Sequence, residues 1–126
     1  MGRENKLRDQ AFGKFAEDKA VEFYISQGYA IKERNWRWHK IEIDIIAQYG
    51  NIIVFVEVKA RSGRDMSAAE SVTMAKMKNM TRGADVYLKS LTGDFEYRYD
   101  IFTLTGDFEN YVTESIEDAF ISPLMK

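Results

Sequence analysis

The hydrophobic pattern changes its period along the chain, and this change separates predicted helices from predicted strands. From about Asp9 to Gln27, apolar residues recur every three or four positions, which is the spacing of an amphipathic helix. Gly28 follows at the position where glycine commonly ends a helix. A capping-box pattern over Ser67–Glu70 predicts the start of a second helix, which continues to about Leu91.

Runs rich in β-branched and aromatic residues predict five strands. These runs are Tyr29–His39, Ile41–Ala47, Ile52–Ala60, Glu96–Leu104 and Phe108–Val112. Arg98 and Asp100 share a face of the fourth strand and are positioned to pair, and the acidic segment Glu114–Phe120 is predicted to form a short helical turn. The resulting order, α-β-β-β-α-β-β, predicts an α/β fold with a mixed β-sheet flanked by helices.

The second and third strands carry acidic residues at positions that a hairpin would bring together. Gly50-Asn51 separates the two runs and is a strong hairpin signal. A turn centred on that pair places Asp44 opposite Glu57 and Glu42 opposite Lys59. Because side chains alternate along a strand, all four are predicted to point to one side of the sheet.

Two carboxylates facing each other in apolar strands need a compensating positive charge. Opposite Cβ atoms lie only about 4.5–5.5 Å apart, a distance at which like charges repel. A divalent metal between Asp44 and Glu57 could supply the charge, and so could the ammonium group of Lys59. The alternative is an exposed polar face that solubilises a sheet edge. Three apolar residues on the same predicted face favour partial burial. They are Ile46, Ile53 and Phe55.

Composition and charge limit the class of protein. The chain has 126 residues, 45% of them hydrophobic, and a single domain over residues 1–126 is expected. Zero cysteines, a polar start and the lack of a long apolar run predict a soluble cytoplasmic protein that does not bind membranes. The net charge of −2 conceals an asymmetry, since residues 1–92 carry +4 and residues 93–126 carry −6. Local basic patches would therefore have to bind any nucleic acid.

A basic and aromatic cluster lies on the predicted first strand. Arg34, Arg37 and Lys40 alternate with Trp36 and Trp38. This mixture suits phosphate contacts and base stacking, and it equally suits an ordinary edge strand. A polar loop containing Arg61 and Arg64 follows the third strand.

Two charged helix residues lie beside or within apolar stripes. Glu17 falls at the margin of the buried face of the first helix, where a glutamate most simply keeps its head in water. Lys76 lies in the middle of the apolar stripe of the second helix. Its stem could pack while its head reaches solvent, or its ammonium could reach Asp44, Glu57 or a bound phosphate.

The two acidic strands resemble a known family. Asp44 followed by Glu57-Val58-Lys59 looks like the D…ExK core of the PD-(D/E)xK nuclease superfamily. IEIDIIA followed by FVEVKAR is similar to the YraN-like family, small bacterial proteins described as predicted endonucleases related to Holliday junction resolvases. This chain has Ile41 where that family typically has glycine.

The resemblance implies a restriction-endonuclease-like core and a metal-dependent endonuclease that acts on DNA, including branched DNA. Asp44 and Glu57 would bind Mg²⁺ or Mn²⁺, and Lys59 would orient the attacking water. Glu17 matches a glutamate that the superfamily often directs at the metal, and Lys76 stands near the position of a glutamine in many members. The nucleic-acid contacts expected are Arg34, Arg37, Arg61, Arg64 and Lys76.

Other functions remain open at this level. The protein could be a non-catalytic nucleic-acid-binding module that retains the fold and the acidic pair. It could also be an interaction domain whose acidic C-terminal region binds a basic partner. Resolvase-like enzymes act as symmetric dimers, so the resemblance also allows a homodimer, although no dimer surface can be identified in the sequence.

Overall fold

A computed structural model describes residues 2–62 and 72–120 of the chain. Two helices and five strands are present among these residues. In chain order they are α1 (Gly2–Ser26), β1 (Ala30–Trp38), β2 (Ile41–Tyr49), β3 (Ile52–Arg61), α2 (Met74–Lys89), β4 (Glu96–Gly106) and β5 (Tyr111–Ile116). The predicted α/β class and the order α-β-β-β-α-β-β are confirmed.

The strands form a single mixed sheet in the order β1-β2-β3-β4-β5. Neighbouring strands are antiparallel except for β3 and β4, which are parallel. A parallel pair requires a crossover connection, and α2 lies in the segment between β3 and β4. The centre of β3 is buried on both faces, which explains its nearly continuous apolar sequence.

Each helix covers one face of the sheet. The cluster on the α1 side contains Ala16, Ala20, Tyr24, Ile45, Ala47, Val54, Val56, Phe102 and Leu104. The cluster on the α2 side contains Ile43, Ile46, Ile53, Phe55, Met80, Ala84, Tyr87 and Tyr99. The two clusters thus cover the central parts of β2 and β3 on both faces of the sheet.

The first helix is longer than the hydrophobic pattern indicates. It begins at Gly2, although its apolar stripe begins only near Phe12, and residues 2–11 are all exposed. Gly28 has a φ of 93° just beyond its last turn, as expected for a glycine that ends a helix. Among the described residues, no helix is both long enough and apolar enough to cross a membrane.

The second helix begins later than predicted. The capping box at Ser67–Glu70 lies outside the described residues. Thr73 caps the helix instead, and its side-chain oxygen accepts a hydrogen bond from the backbone N–H of Lys76.

The last strand is shifted toward the C-terminus. Its predicted range, Phe108–Val112, is wrong in its first three residues, where the Asp107 carboxylate accepts hydrogen bonds from the backbone N–H groups of Glu109 and Asn110 and closes a loop. The strand then runs over Tyr111–Ile116, so the helical turn predicted at Glu114–Phe120 is also wrong in its first part. Pairing with β4 stabilises the extended conformation there.

The β2–β3 hairpin has the predicted turn and register. Gly50 adopts a φ of 59°, and the pairs run from Tyr49 with Ile52 to Ile45 with Val56. The pairs end there, one position before Asp44. The predicted direct opposition of Asp44 and Glu57 is therefore not part of the paired ladder.

The prediction that four charged residues share one side of the sheet is wrong. Ile43 and Ile46 both pack in the α2-side cluster, although residues an odd number of positions apart face opposite sides of a regular strand. β2 is thus irregular between them, and Glu42 and Asp44 line a recess beside α1. Glu42 accepts a hydrogen bond from Arg37 at 3.3 Å, which replaces its expected pairing with Lys59.

Candidate active site

Asp44 and Glu57 lie where the paired part of β2 and β3 ends. The backbone N–H of Val58 donates to Asp44 Oδ2 at 2.8 Å, in the place where a further backbone pair would have formed. Glu57 is 6% exposed, and its Oε1 accepts no hydrogen bond from the described residues. The irregularity of β2 therefore brings the half-buried Asp44 carboxyl group next to the buried Glu57 carboxyl group, and the described residues supply few donors for their oxygens.

Burial and the closeness of the two carboxyl groups raise the pKa values of Asp44 and Glu57. The pKa of Glu57 is raised to about 8, mainly because burial disfavours its charged form and secondly because Asp44 lies beside it. Burial also raises the pKa of Asp44, while the hydrogen bond from Val58 opposes that shift. The folded pair therefore gives up its first bound proton less readily than two separate carboxyl groups would.

Lysines partly compensate the acidic pair. Lys76 Nζ lies 3.5 Å from Glu57 Oε1, so the alternative in which this ammonium reaches the acidic cluster is confirmed. The charges of Lys76 and Lys59 both lower the pKa of Glu57, with the larger effect from Lys76. The side chain of Lys76 is 38% exposed and the ion pair is not a hydrogen bond, so the compensation is incomplete.

Glu17 approaches the same cluster from α1. Burial and the nearby Asp44 raise its pKa, and hydrogen bonds from Asn35 and Arg34 oppose the shift. Asn35 Nδ2 donates to Glu17 Oε1 at 3.0 Å and Arg34 Nη2 donates to it at 3.3 Å. The prediction that Glu17 and Lys76 converge on the acidic pair from the two helices is confirmed.

An open recess of about 430 Å³ gives access to Asp44. Its walls come from α1, β1, β2 and β3. The lining residues are Gln10, Gly13, Lys14, Glu17, Asn35, Glu42, Asp44, Val58 and Ala60. Glu57 is thus buried, whereas the half-buried Asp44 beside it is reachable from outside through the recess.

The predicted nucleic-acid-binding arginines lie in different settings. Arg34 binds Asp18 at 2.7 Å as well as Glu17, so it holds carboxylates of α1 in place. Arg37 is exposed and pairs with Glu42 at the rim of the recess. Arg61 is the last residue of β3. Arg64 lies outside the described residues.

Asn35 is a site residue that the hydrophobic pattern did not identify. Its φ is 51°, a left-handed conformation in the middle of a strand, which asparagine tolerates better than β-branched residues do. This backbone conformation accompanies the hydrogen bond to Glu17. An asparagine among strand-forming residues was the available signal, because asparagine is depleted in strands.

The donor set suits a hard divalent cation. Mg²⁺ usually takes one or two protein carboxylates and keeps several waters, so Asp44, Glu57 and a backbone carbonyl form a reasonable set. Glu57 Oε1 is a buried oxygen that accepts no hydrogen bond from the described residues and has only the Lys76 ammonium 3.5 Å away, so it has capacity for such an ion. Among residues 2–62 and 72–120, no group of three or more histidine, aspartate or glutamate side chains is arranged to hold a metal ion, so a metal here would have two carboxylate ligands at most from these residues.

Sequence comparisons agree with the resemblance seen in the two strands. Residues 16–104 match the family described as uncharacterised protein family UPF0102. A relative from Phocaeicola vulgatus is 38% identical over 114 residues, covering 90% of this chain and 94% of its own. Relatives from Flavobacterium psychrophilum and Nitrosomonas europaea are 43% and 42% identical, each over 109 residues, covering 86% of this chain and 92% of their own. All three are named only as UPF0102 proteins.

Proposed function

This chain belongs to the UPF0102 family, and from that premise we propose that it is a metal-dependent endonuclease that hydrolyses phosphodiester bonds in DNA, including branched DNA. The observation that carries the proposal is the largely buried Asp44–Glu57 pair, which receives few hydrogen bonds from the described residues and is reachable at Asp44 through an open recess. Maintaining two carboxyl groups in this state costs stability, and such sites are commonly functional.

Asp44 and Glu57 would hold Mg²⁺ or Mn²⁺, together with the Val58 carbonyl and water. A bound divalent ion lowers the pKa of a coordinated water and neutralises phosphate charge. The chain itself must keep both carboxylates ionised for this purpose. Lys76 and Lys59 act in that direction, since both lower the pKa of Glu57.

The remaining residues have roles set by their positions. Lys59 lies two residues beyond Glu57 and would orient the attacking water or balance negative charge on the phosphate. Glu17, held by Asn35 and Arg34, faces Asp44 and would accept a proton or a water hydrogen bond. When a metal ion binds Glu57 in place of the Lys76 ammonium, that ammonium would contact the phosphate.

A second candidate function is supported by Lys76. Its ammonium already compensates part of the charge of Glu57 without a metal, which is compatible with a nucleic-acid-binding module that lacks catalysis. Such a module would bind DNA with the salt dependence of phosphate contacts and would show no cleavage with any divalent ion.

Replacing Asp44 with asparagine tests the proposal. We expect Mg²⁺ or Mn²⁺ to support cleavage of a panel of branched and linear DNAs by the native protein and not by Asp44→Asn, because the substitution removes a charged ligand. Mg²⁺ should raise the melting temperature of the native protein, since a ligand of the folded state stabilises it. Asp44→Asn should lose that increment and, without metal, melt at the same or a slightly higher temperature.

Asp85→Asn is the matched control, because Asp85 pairs with Lys89 on the exposed side of α2. It should retain both the cleavage and the melting shift. Equal melting shifts in the native and Asp44→Asn proteins would show that the ion does not bind between these carboxylates. DNA binding without cleavage, at every metal tested, would favour the binding module.

A further inference from the structure

One wall of the recess is formed by a helix that extends well beyond it. Gln10, Gly13, Lys14 and Glu17 line the recess from α1, at the three- and four-residue spacing of one helix side. Toward its start, α1 continues beyond Gln10 for about two further turns, and every residue from 2 to 11 is exposed. The side of the helix that borders the candidate site therefore continues outward as an open surface.

Basic residues lie along that continuation. At about 100° per residue, Arg3, Lys6 and Lys14 all fall within about 60° of the direction of Glu17. The acidic residues of this segment, Glu4 and Asp9, lie about 80° or more away from that direction. We call the set Arg3, Lys6, Gln10 and Lys14 the basic stripe.

The basic side chains of the stripe form no ion pairs with the described residues. Arg3 and Lys6 form no ion pair with another described residue, and Lys14 has only a long-range effect on Asp18. By contrast, Arg34, Arg37 and Lys76 are all engaged with carboxylates. Arg34, Arg37 and Lys76 thus organise the site, whereas the stripe has charge available for a ligand.

We propose that the basic stripe of α1 binds the sugar–phosphate backbone of a nucleic acid whose neighbouring segment occupies the recess at Asp44. The stripe has positive charge and hydrogen-bond donors but no apolar surface of its own, which suits a polyanion better than a hydrophobic partner. The proposal deepens the proposed function and rests on it, because it assigns the path of the same substrate.

The geometry of the helix sets the length of substrate required. Along the axis, Lys6 and Arg3 lie about 16 and 21 Å beyond Glu17. At 3.4 Å per base pair, these distances correspond to about 5 and 6 base pairs. The inferred ligand is therefore a polynucleotide that extends at least half a helical turn from the reacting phosphate, and mononucleotides or dinucleotides would not reach the stripe.

A matched control lies on the same helix. Arg8 is exposed and points about 180° away from Glu17, so Arg8→Gln removes one positive charge from the opposite side. Binding of a fluorescein-labelled 30-base-pair duplex, measured by anisotropy over a range of NaCl concentrations, distinguishes the two sides. Lys6→Gln and Arg3→Gln should each weaken binding by up to about fivefold and lower the slope of log K against log salt by about 0.9. Arg8→Gln should leave both nearly unchanged.

A second readout does not depend on charge. The chain has no cysteine, so Lys6→Cys and Arg8→Cys each create a unique attachment point for a photo-crosslinker. Crosslinks to the duplex should form from position 6 and not from position 8. The difference should disappear on a duplex trimmed to about 4 base pairs, which is too short to span the recess and Lys6.

The outcomes separate this inference from the proposed function. Equal effects of Lys6→Gln and Arg8→Gln, or crosslinks from both positions, would overturn the basic stripe while leaving cleavage at Asp44 untouched. DNA binding that depends on the basic stripe but is not followed by cleavage would support the stripe as a binding surface and would overturn the proposed hydrolysis. No binding of any duplex by the native protein would overturn both. A dimer that dissociates in Arg3→Gln would show that the stripe binds a second copy instead.

Discussion

Two buried acidic clusters lie on the same sheet and differ in how their carboxyl groups are satisfied. On β4, Asp100 is fully buried and has four donors. Arg98 donates twice, at 2.9 and 3.1 Å, the Tyr24 hydroxyl donates at 2.7 Å, and the backbone N–H of Asp118 donates at 3.0 Å. This cluster connects α1, β4 and the segment after β5.

The described residues give the cluster at Asp44 and Glu57 fewer hydrogen bonds than they give Asp100. Asp44 receives one backbone hydrogen bond, and one oxygen of Glu57 receives none from the described residues. The cation beside Glu57 is the 38%-exposed Lys76 at 3.5 Å, whereas the cation beside Asp100 is the 18%-exposed Arg98 at 2.9 Å. The difference indicates that the Asp100 cluster stabilises the fold, while the Asp44–Glu57 cluster retains binding capacity.

The largest expected effect separates the two clusters by stability. Asp100→Asn should cost about 3–5 kcal/mol, because removing one partner of a buried ion pair leaves Arg98 without its main counter-charge. Glu57→Gln should leave the free energy of unfolding unchanged or increase it when metal is chelated, because a neutral side chain no longer has to take up a proton on folding. Urea unfolding of both variants at pH 7 with EDTA measures the contrast. Similar losses in both would contradict the comparison.

A second test uses pH. Because the pKa of Glu57 is raised from 4.5 to about 8, the folded state keeps a proton that the unfolded state releases in this range. Stability should therefore fall as pH rises from about 4.5 to about 8, with metal chelated, and should level off above that. Glu17 contributes in the same direction, since its pKa is also raised.

Glu57→Gln should flatten much of this pH dependence, and excess Mg²⁺ should reduce it in the native protein by favouring the ionised pair. Glu22→Gln is the control, because Glu22 is an exposed residue of α1 paired with Lys19. It should retain the native pH dependence. If the free energy of unfolding of the native protein instead rises between pH 5 and 8, the pKa of Glu57 is not raised in the folded state.

The smallest expected effect concerns Lys76. Because its charge lowers the pKa of Glu57, Lys76→Gln should move the pH-dependent loss of stability to higher pH. The shift should shrink at 1 M salt, since the ammonium is partly exposed and screened. Lys78→Gln, at an exposed position two residues along α2, should leave the curve unchanged. Equal curves for the native and Lys76→Gln proteins would mean that Lys76 does not act on Glu57 in solution.

The sequence by itself determined the order of elements, the β2–β3 turn and most of its register. These features depend on local chemistry: the glycine-asparagine pair specifies the turn, and the alternation of apolar residues specifies the strand faces. The pairing of Arg98 with Asp100 was also predictable, since both lie on one strand two positions apart. Sequence similarity then confirmed the family.

Only the tertiary structure decided how the acidic pair is built. The irregularity between Ile43 and Ile46, the direction of Asp44 toward the recess and the positive φ of Asn35 depend on contacts between α1, β1 and β3 that no periodicity encodes. The boundaries of α2 and β5 were likewise decided by the structure. The side chains of Thr73 and Asp107 accept hydrogen bonds from the backbone N–H groups of Lys76 and Glu109 there. A local pattern specifies which residues can face each other. Burial and the number of hydrogen-bond donors depend instead on neighbours that only packing brings close. Because these neighbours differ, Asp100 stabilises the fold, whereas the Asp44–Glu57 pair keeps binding capacity.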